Sequence, residues 1–86
     1  MNDASKPHGV AIVRSYQQLR AAVAARRKAL GWSQLEVDYR SGLMDGYTGK
    51  IECGTRHFGD LSLGLVLQTL GLELIVRPRD PEARSR

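Results

Sequence analysis

The chain has 86 residues, 42% of them hydrophobic and 26% charged, with a formal net charge of +4. That length holds one domain with a single modest core, and the composition is that of a soluble globular protein rather than a disordered one. It excludes a membrane-spanning helix, since no apolar run approaches about 20 residues, and an internal disulfide, since Cys53 is the one cysteine.

Residues 1 to 9 read as a disordered leader punctuated by Pro7 and Gly9. They have neither the basic start nor the apolar core of a secretory signal, so a cytoplasmic location is expected. Val10 to Val13 is a short β-branched run. Ser15 then opens a helix, with Gln18 placed to reach back to the Ser15 amide as a capping box. This helix runs to Leu30 and stops at Gly31. Along it Leu19, Val23, Arg27 and Leu30 follow helical spacing, which puts Arg27 on the apolar stripe.

A second capping box, Ser33-Gln34-Leu35-Glu36, opens a short helix to about Ser41, closed by Gly42. Asp45 is positioned to cap a third helix that ends at Cys53, with Gly54 behind it. After the loop Thr55 to Leu61, Ser62 is positioned to cap a fourth helix, Leu63 to Leu70, closed by Gly71. Leu72 to Arg77 is β-branched and partly alternating, and reads as a late strand that Pro78 ends. Residues 78 to 86 form a basic flexible tail. Residues 10 to 77 are therefore the expected domain, and no internal repeat is visible.

Little here points to catalysis. His8 and His57 lie far apart beside a single cysteine, so no metal-ligand spacing exists. Cys53 falls at a helix C-terminus, where the dipole disfavours a thiolate. There is no Gly-rich phosphate loop, and no carboxylate pair stands out as acid and base. A non-enzyme with no cofactor and no metal is expected.

The placement of charge is more informative than its total. Residues 14 to 60 carry eight Lys or Arg against five acids. Within that stretch, two helices of about eight residues meet at Gly42-Leu43-Met44, a connection suited to a helix-turn-helix. Leu43 and Ile51 then face inward with Val37, which leaves the outer face of the third helix free to enter a major groove.

The block from Arg27 to Gly54 carries Arg27, Gly31, Ser33-Gln34, Glu36, Gly42, Ile51-Glu52 and Gly54 without a gap. It resembles the phage-repressor and Cro-like (XRE) family. Gly31-Trp32-Ser33-Gln34 and Leu70-Gly71-Leu72-Glu73-Leu74 leading into a terminal strand make the chain most similar, within that family, to HipB-type antitoxins. The resemblance spans roughly residues 12 to 77. It implies an all-α, lambda-repressor-like helix-turn-helix bundle of four or five helices with a short C-terminal β-strand.

It also implies site residues. Gln34 stands where the family's glutamine bonds a phosphate. Asp45 opens the expected recognition helix. Lys50 occupies an outward slot facing a guanine edge or a phosphate, or is an ordinary solvated cation. Tyr47 either meets a sugar or a thymine methyl, or packs against Leu43. Arg56 and His57 follow on the loop that tracks the DNA backbone in relatives. The family's equivalents of Arg27 and Glu52 form an ion pair, which relieves the cost of two inward charges. Trp32 is expected to pack in the core.

The chain departs from the family pattern at Asp38 and Thr48, where relatives carry a small residue and a branched apolar one. Asp38 is expected either to accept a hydrogen bond from the Thr48 hydroxyl or from amides opening the third helix, or to point to solvent. Gly46 and Gly49 offer no side chain for base readout. The expected function is that of a sequence-specific DNA-binding transcriptional regulator on double-stranded DNA, and the HipB-type resemblance implies the antitoxin of a pair with a kinase-like toxin. The alternative is a protein-interaction module on the same scaffold. A homodimer is expected through Leu72, Leu74 and Val76 of the final strand, with Val10 to Val13 as the rival intrachain partner.

Overall fold

The structure, a computed structural model, describes residues 9–79. The expected leader and most of the expected tail lie outside these residues. The described chain is all-helical: α1 (Tyr16–Ala29), α2 (Gln34–Ser41), α3 (Tyr47–Cys53) and α4 (Asp60–Leu70).

Alanine-rich α1 starts where the Ser15 hydroxyl accepts from the Gln18 amide at 3.1 Å. The reciprocal half of the expected capping box falls one residue earlier, because the Gln18 side chain accepts from the Arg14 amide instead of that of Ser15. Similarly, Ser33 caps α2 by accepting from the Glu36 amide at 3.0 Å. Glu36 does not reach back; its carboxylate takes Arg40, one turn on, at 2.6 Å. In α4, Ser62 is not the cap that its sequence position promises. The helix begins three residues sooner than Leu63, at Asp60, and the Ser62 hydroxyl accepts from the Gly59 amide at 2.9 Å. Serine serves one turn inside the helix as well as at its cap, provided the amide it reaches is an orphan of the first turn.

The helices close on one core. Val23 of α1, Val37 of α2, and Val66 and Leu70 of α4 form its centre, flanked by Leu19, Leu30, Trp32, Leu43, Phe58 and Leu72. Ile51 of α3 is buried as well. α2 packs on both α3 and α4, and α1 braces the same two helices from the other side. Arg26 ties α1 to the end of α4 by donating to the Leu70 carbonyl at 2.8 Å. No helix is long and apolar enough to cross a membrane among the described residues.

The expected terminal strand is not present. Among the described residues there is no β-strand, and neither Leu72 to Arg77 nor Val10 to Val13 carries a ladder. A strand exists only where another strand takes its amides and carbonyls, and the described residues of a single copy bring none to this edge. Leu72 belongs to the helical fold instead. Its amide donates to the Leu67 carbonyl at 2.8 Å, and its side chain packs on the core. Beyond it Leu74, Ile75 and Val76 are exposed, Val76 almost entirely at 97%.

Candidate nucleic-acid interface

Residues Gly42 to Gly46 join α2 to α3. Gly42 adopts a left-handed backbone (φ +73°) that a side-chain-bearing residue rarely takes, which allows the chain to turn abruptly. The Leu43 amide then closes the turn onto the Asp38 carbonyl at 2.8 Å.

Asp38 holds the joint together. It is fully buried, and its carboxylate accepts three hydrogen bonds: from the Gly46 amide at 2.9 Å, the Thr48 amide at 2.9 Å and the Thr48 hydroxyl at 2.6 Å. These amides are orphan donors at the start of α3, so Asp38 does the work of a cap from the neighbouring helix. The expectation that Asp45 caps α3 is corrected here. The N-cap residue is Gly46 at φ +91°, it has no side chain to offer, and Asp45 is exposed. Thr48, small and hydroxylated where an apolar residue is expected, is what makes room for and satisfies the buried carboxylate.

A second polar group fastens α3 to α1. Arg27 Nε donates to Glu52 Oε2 at 2.7 Å and Nη2 to Oε1 at 3.0 Å, while Nη1 donates to the Trp32 carbonyl at 2.7 Å. The two side chains are only 11% and 14% exposed. Gln34, at the start of α2, adds a bond from Nε2 to Glu52 Oε1 at 2.8 Å. Burial pushes the Glu52 carboxyl up. The hydrogen bonds from Arg27 and Gln34, with the positive charge of Arg27 and Lys28, outweigh this and hold it below the ordinary glutamate range. Gly49 permits the arrangement, since a β-carbon there would stand 3.1 Å from Gln34 Oε1.

These fastenings fix which face of α3 is outward. Thr48 and Ile51 are buried, whereas Lys50 and Cys53 are exposed on the opposite side. Tyr47 turns away from that outward face toward α4: its hydroxyl lies 2.6 Å from Ser62 Oγ, and the Arg56 guanidinium sits over its ring at 5.1 Å. The loop after α3 wraps tightly around the helix end. One carbonyl, that of Lys50, accepts from the Gly54, Thr55 and Arg56 amides at 3.0–3.2 Å. His57 rests edge-on against the Tyr16 ring at 4.9 Å, and the Phe58 amide donates to the Tyr16 hydroxyl at 2.8 Å. Arg56 and His57 remain exposed at the tip.

Of the residues singled out in the sequence, Lys50, Arg56 and His57 are exposed, the first on α3 and the other two on the loop that follows it. Gln34 and Tyr47 are half-buried and already engaged. Trp32 is half-buried against the core, its ring covered by Arg40 at 4.3 Å. The Cys53 thiol is not raised by its place at a helix end. The Thr55 hydroxyl and amide, with help from Arg20, hold it below the ordinary cysteine range. Sequence reasoning missed Ser62 as the partner of Tyr47, for which no local signal exists. It also missed Tyr16 and Arg20, whose four-residue spacing places them on one side of α1, beside the loop. Among the described residues no three His, Cys, Asp or Glu side chains converge as metal ligands. No protein-family model, no curated protein and no solved structure matches the chain.

Proposed function

We propose that the chain is a sequence-specific DNA-binding transcriptional regulator of the XRE, lambda-repressor-like type, with α2 and α3 as its helix-turn-helix and α3 entering the major groove. The observation that carries this reading is the Asp38 clamp. Three hydrogen bonds from one buried carboxylate lock the start of α3 to α2, so α3 projects as a rigid helix rather than a mobile one. Its free face bears Lys50, and the adjoining loop bears Arg56 and His57. In this reading Lys50 reads a base edge or takes a phosphate, and Arg56 and His57 follow the backbone. Gln34 Nε2 has a second hydrogen beyond the one given to Glu52, and a phosphate at the start of α2 is its natural acceptor. Asp45, exposed just before α3, is in this reading a candidate acceptor for a cytosine amino group at the groove floor. In this reading the chain acts as a homodimer, and the resemblance of its Arg27–Gly54 block and its end to HipB-type antitoxins makes a kinase-like toxin a candidate partner.

Mobility-shift assays on the DNA upstream of its own reading frame, at two salt concentrations, test the proposal. A specific shift whose affinity falls steeply with salt supports it. A second reading, a protein-interaction module on the same scaffold, has one observation in its favour. Leu35 and Tyr39, one turn apart on α2, and Met44 in the turn are 58%, 82% and 77% exposed, an apolar display that DNA does not require. No shift, or a weak one that does not distinguish sequences, favours that reading.

A further inference from the structure

The three arginines of α1 are not used alike. Arg26 is spent on the Leu70 carbonyl, and Arg27 on Glu52 and the Trp32 carbonyl. Arg20 is half-buried, yet among the described residues it makes no hydrogen bond and no ion pair. Its guanidinium comes up against Gly54 at the end of α3, Nη1 standing 3.1 Å from where a β-carbon there would be. A β-carbon there would push the guanidinium back by a few tenths of an ångström. One turn earlier on α1, Tyr16 holds His57 and the Phe58 amide. Arg20 is thus set beside the same loop that displays Arg56 and His57, with its planar set of donors unspent. A partly desolvated guanidinium with no acceptor is an unfinished site, and the acceptor that best matches its fork is a phosphate or carboxylate.

We infer that Arg20 binds a backbone phosphate of double-stranded DNA, extending the contact surface from the loop after α3 across to α1. The inference rests on the DNA-binding reading and deepens it, by adding a contact from a helix outside the α2–α3 unit. The contact is sequence-independent. It fixes how far α3 is rolled in the groove, because Arg20 touches the end of α3 through Gly54 while gripping the backbone outside it. The negative end of the α3 dipole beside it holds the guanidinium in place without satisfying its donors.

The test is fluorescence anisotropy with a labelled random-sequence duplex over a series of salt concentrations, using wild type, Arg20→Gln, Arg20→Lys and Lys28→Gln. Each phosphate contact contributes about 0.9 to the slope of log affinity against log salt. Arg20→Gln is expected to lower the slope by about one, and Arg20→Lys to restore it. Lys28→Gln, which removes the same charge two turns along α1, is expected to leave it unchanged. A lower slope in Lys28→Gln equal to that in Arg20→Gln means a general charge effect and overturns the inference. So does wild-type binding with an undiminished slope in Arg20→Gln, whatever its melting temperature. No salt-dependent binding by wild type overturns the DNA reading itself, and this contact with it.

Discussion

The Thr48 hydroxyl donates to the buried Asp38 carboxylate at 2.6 Å, across the joint between α2 and α3. The same carboxylate also takes the Gly46 and Thr48 amides, so three donors depend on a single side chain that no water reaches. Asp38→Ala strands all three. The expected loss is about 2–3 kcal/mol, read as a fall in Tm on the order of 10 °C for a domain of this size. Thr48→Val keeps the shape and removes one donor, for a loss of about 1 kcal/mol. Thermal melts followed by circular dichroism distinguish these. An Asp38→Ala protein as stable as wild type would show that the clamp contributes nothing.

The Asp38 clamp shows where sequence reading reaches its limit. Local rules look for a cap beside the helix it caps, and Asp45 stands in that place. The actual cap comes from eight residues before Gly46, and what pointed to it was a mismatch: two polar residues, Asp38 and Thr48, at positions where two helices cross. Helix boundaries set by glycine were legible, because the left-handed turn at Gly42 is a property of one residue. The Arg27–Glu52 contact was legible from the spacing of α1 together with the resemblance. Two things were not. Tyr47 turns to Ser62 because α4 starts earlier than its serine suggests, which depends on packing. Leu72 joins the core because its amide completes the end of α4, although its pattern reads as strand.

The Arg27–Glu52 pair is nearly dry, so removing one partner leaves a buried charge without its match. Arg27→Ala is expected to cost about 3 kcal/mol or more, and more than Arg27→Ala adds in a Glu52→Gln background, a difference that a double-mutant cycle measures directly.

The same pair predicts an acid limb. Glu52 is held below its ordinary range in the folded chain, so the unfolded chain takes up this proton first as the pH falls. The stabilisation is fully present above the unfolded-state pKa and is lost as the pH drops through the folded-state one. Wild-type Tm should therefore fall on acidification below the ordinary glutamate range. Glu52→Gln, lower at neutral pH, should show a shallower fall. Parallel curves for the two proteins would remove Glu52 as a cause.

On DNA, Lys50 and Arg56 separate by what they lose. Lys50 is exposed on the outward face of α3, and Lys50→Ala should relax discrimination at one base position, worth about 1–3 kcal/mol there. Arg56, held over the Tyr47 ring, points from a loop, and Arg56→Ala should weaken all sequences alike and lower the salt slope by about one. Competition assays with single-base variants of a selected site decide between these patterns. Unchanged binding by both variants at low salt would count against the DNA reading.

The last prediction concerns the chain beyond α4. Leu74, Ile75 and Val76 are 53%, 74% and 97% exposed, three consecutive apolar residues whose backbone groups find no partner strand among the described residues. Such an edge is a template for another strand, and the same segment of a second copy offers a matching one across a two-fold axis. Pairing there satisfies both backbones and buries Leu74 and Val76, which fall on one face of a strand while Ile75 falls on the other. It also fits the proposed function, since a two-fold dimer sets its two α3 helices to read half-sites about 34 Å apart. Leu72 must be spared in any test, because it is anchored on its own core and to the Leu67 carbonyl. A chain ending after Leu72, and a full-length Leu74→Glu/Val76→Glu protein, should keep the helical content of wild type. Both should sediment as monomers and lose most of their affinity for a palindromic site, while wild type sediments as a dimer. If either altered protein remains a dimer, the two copies meet elsewhere and this segment is not the interface.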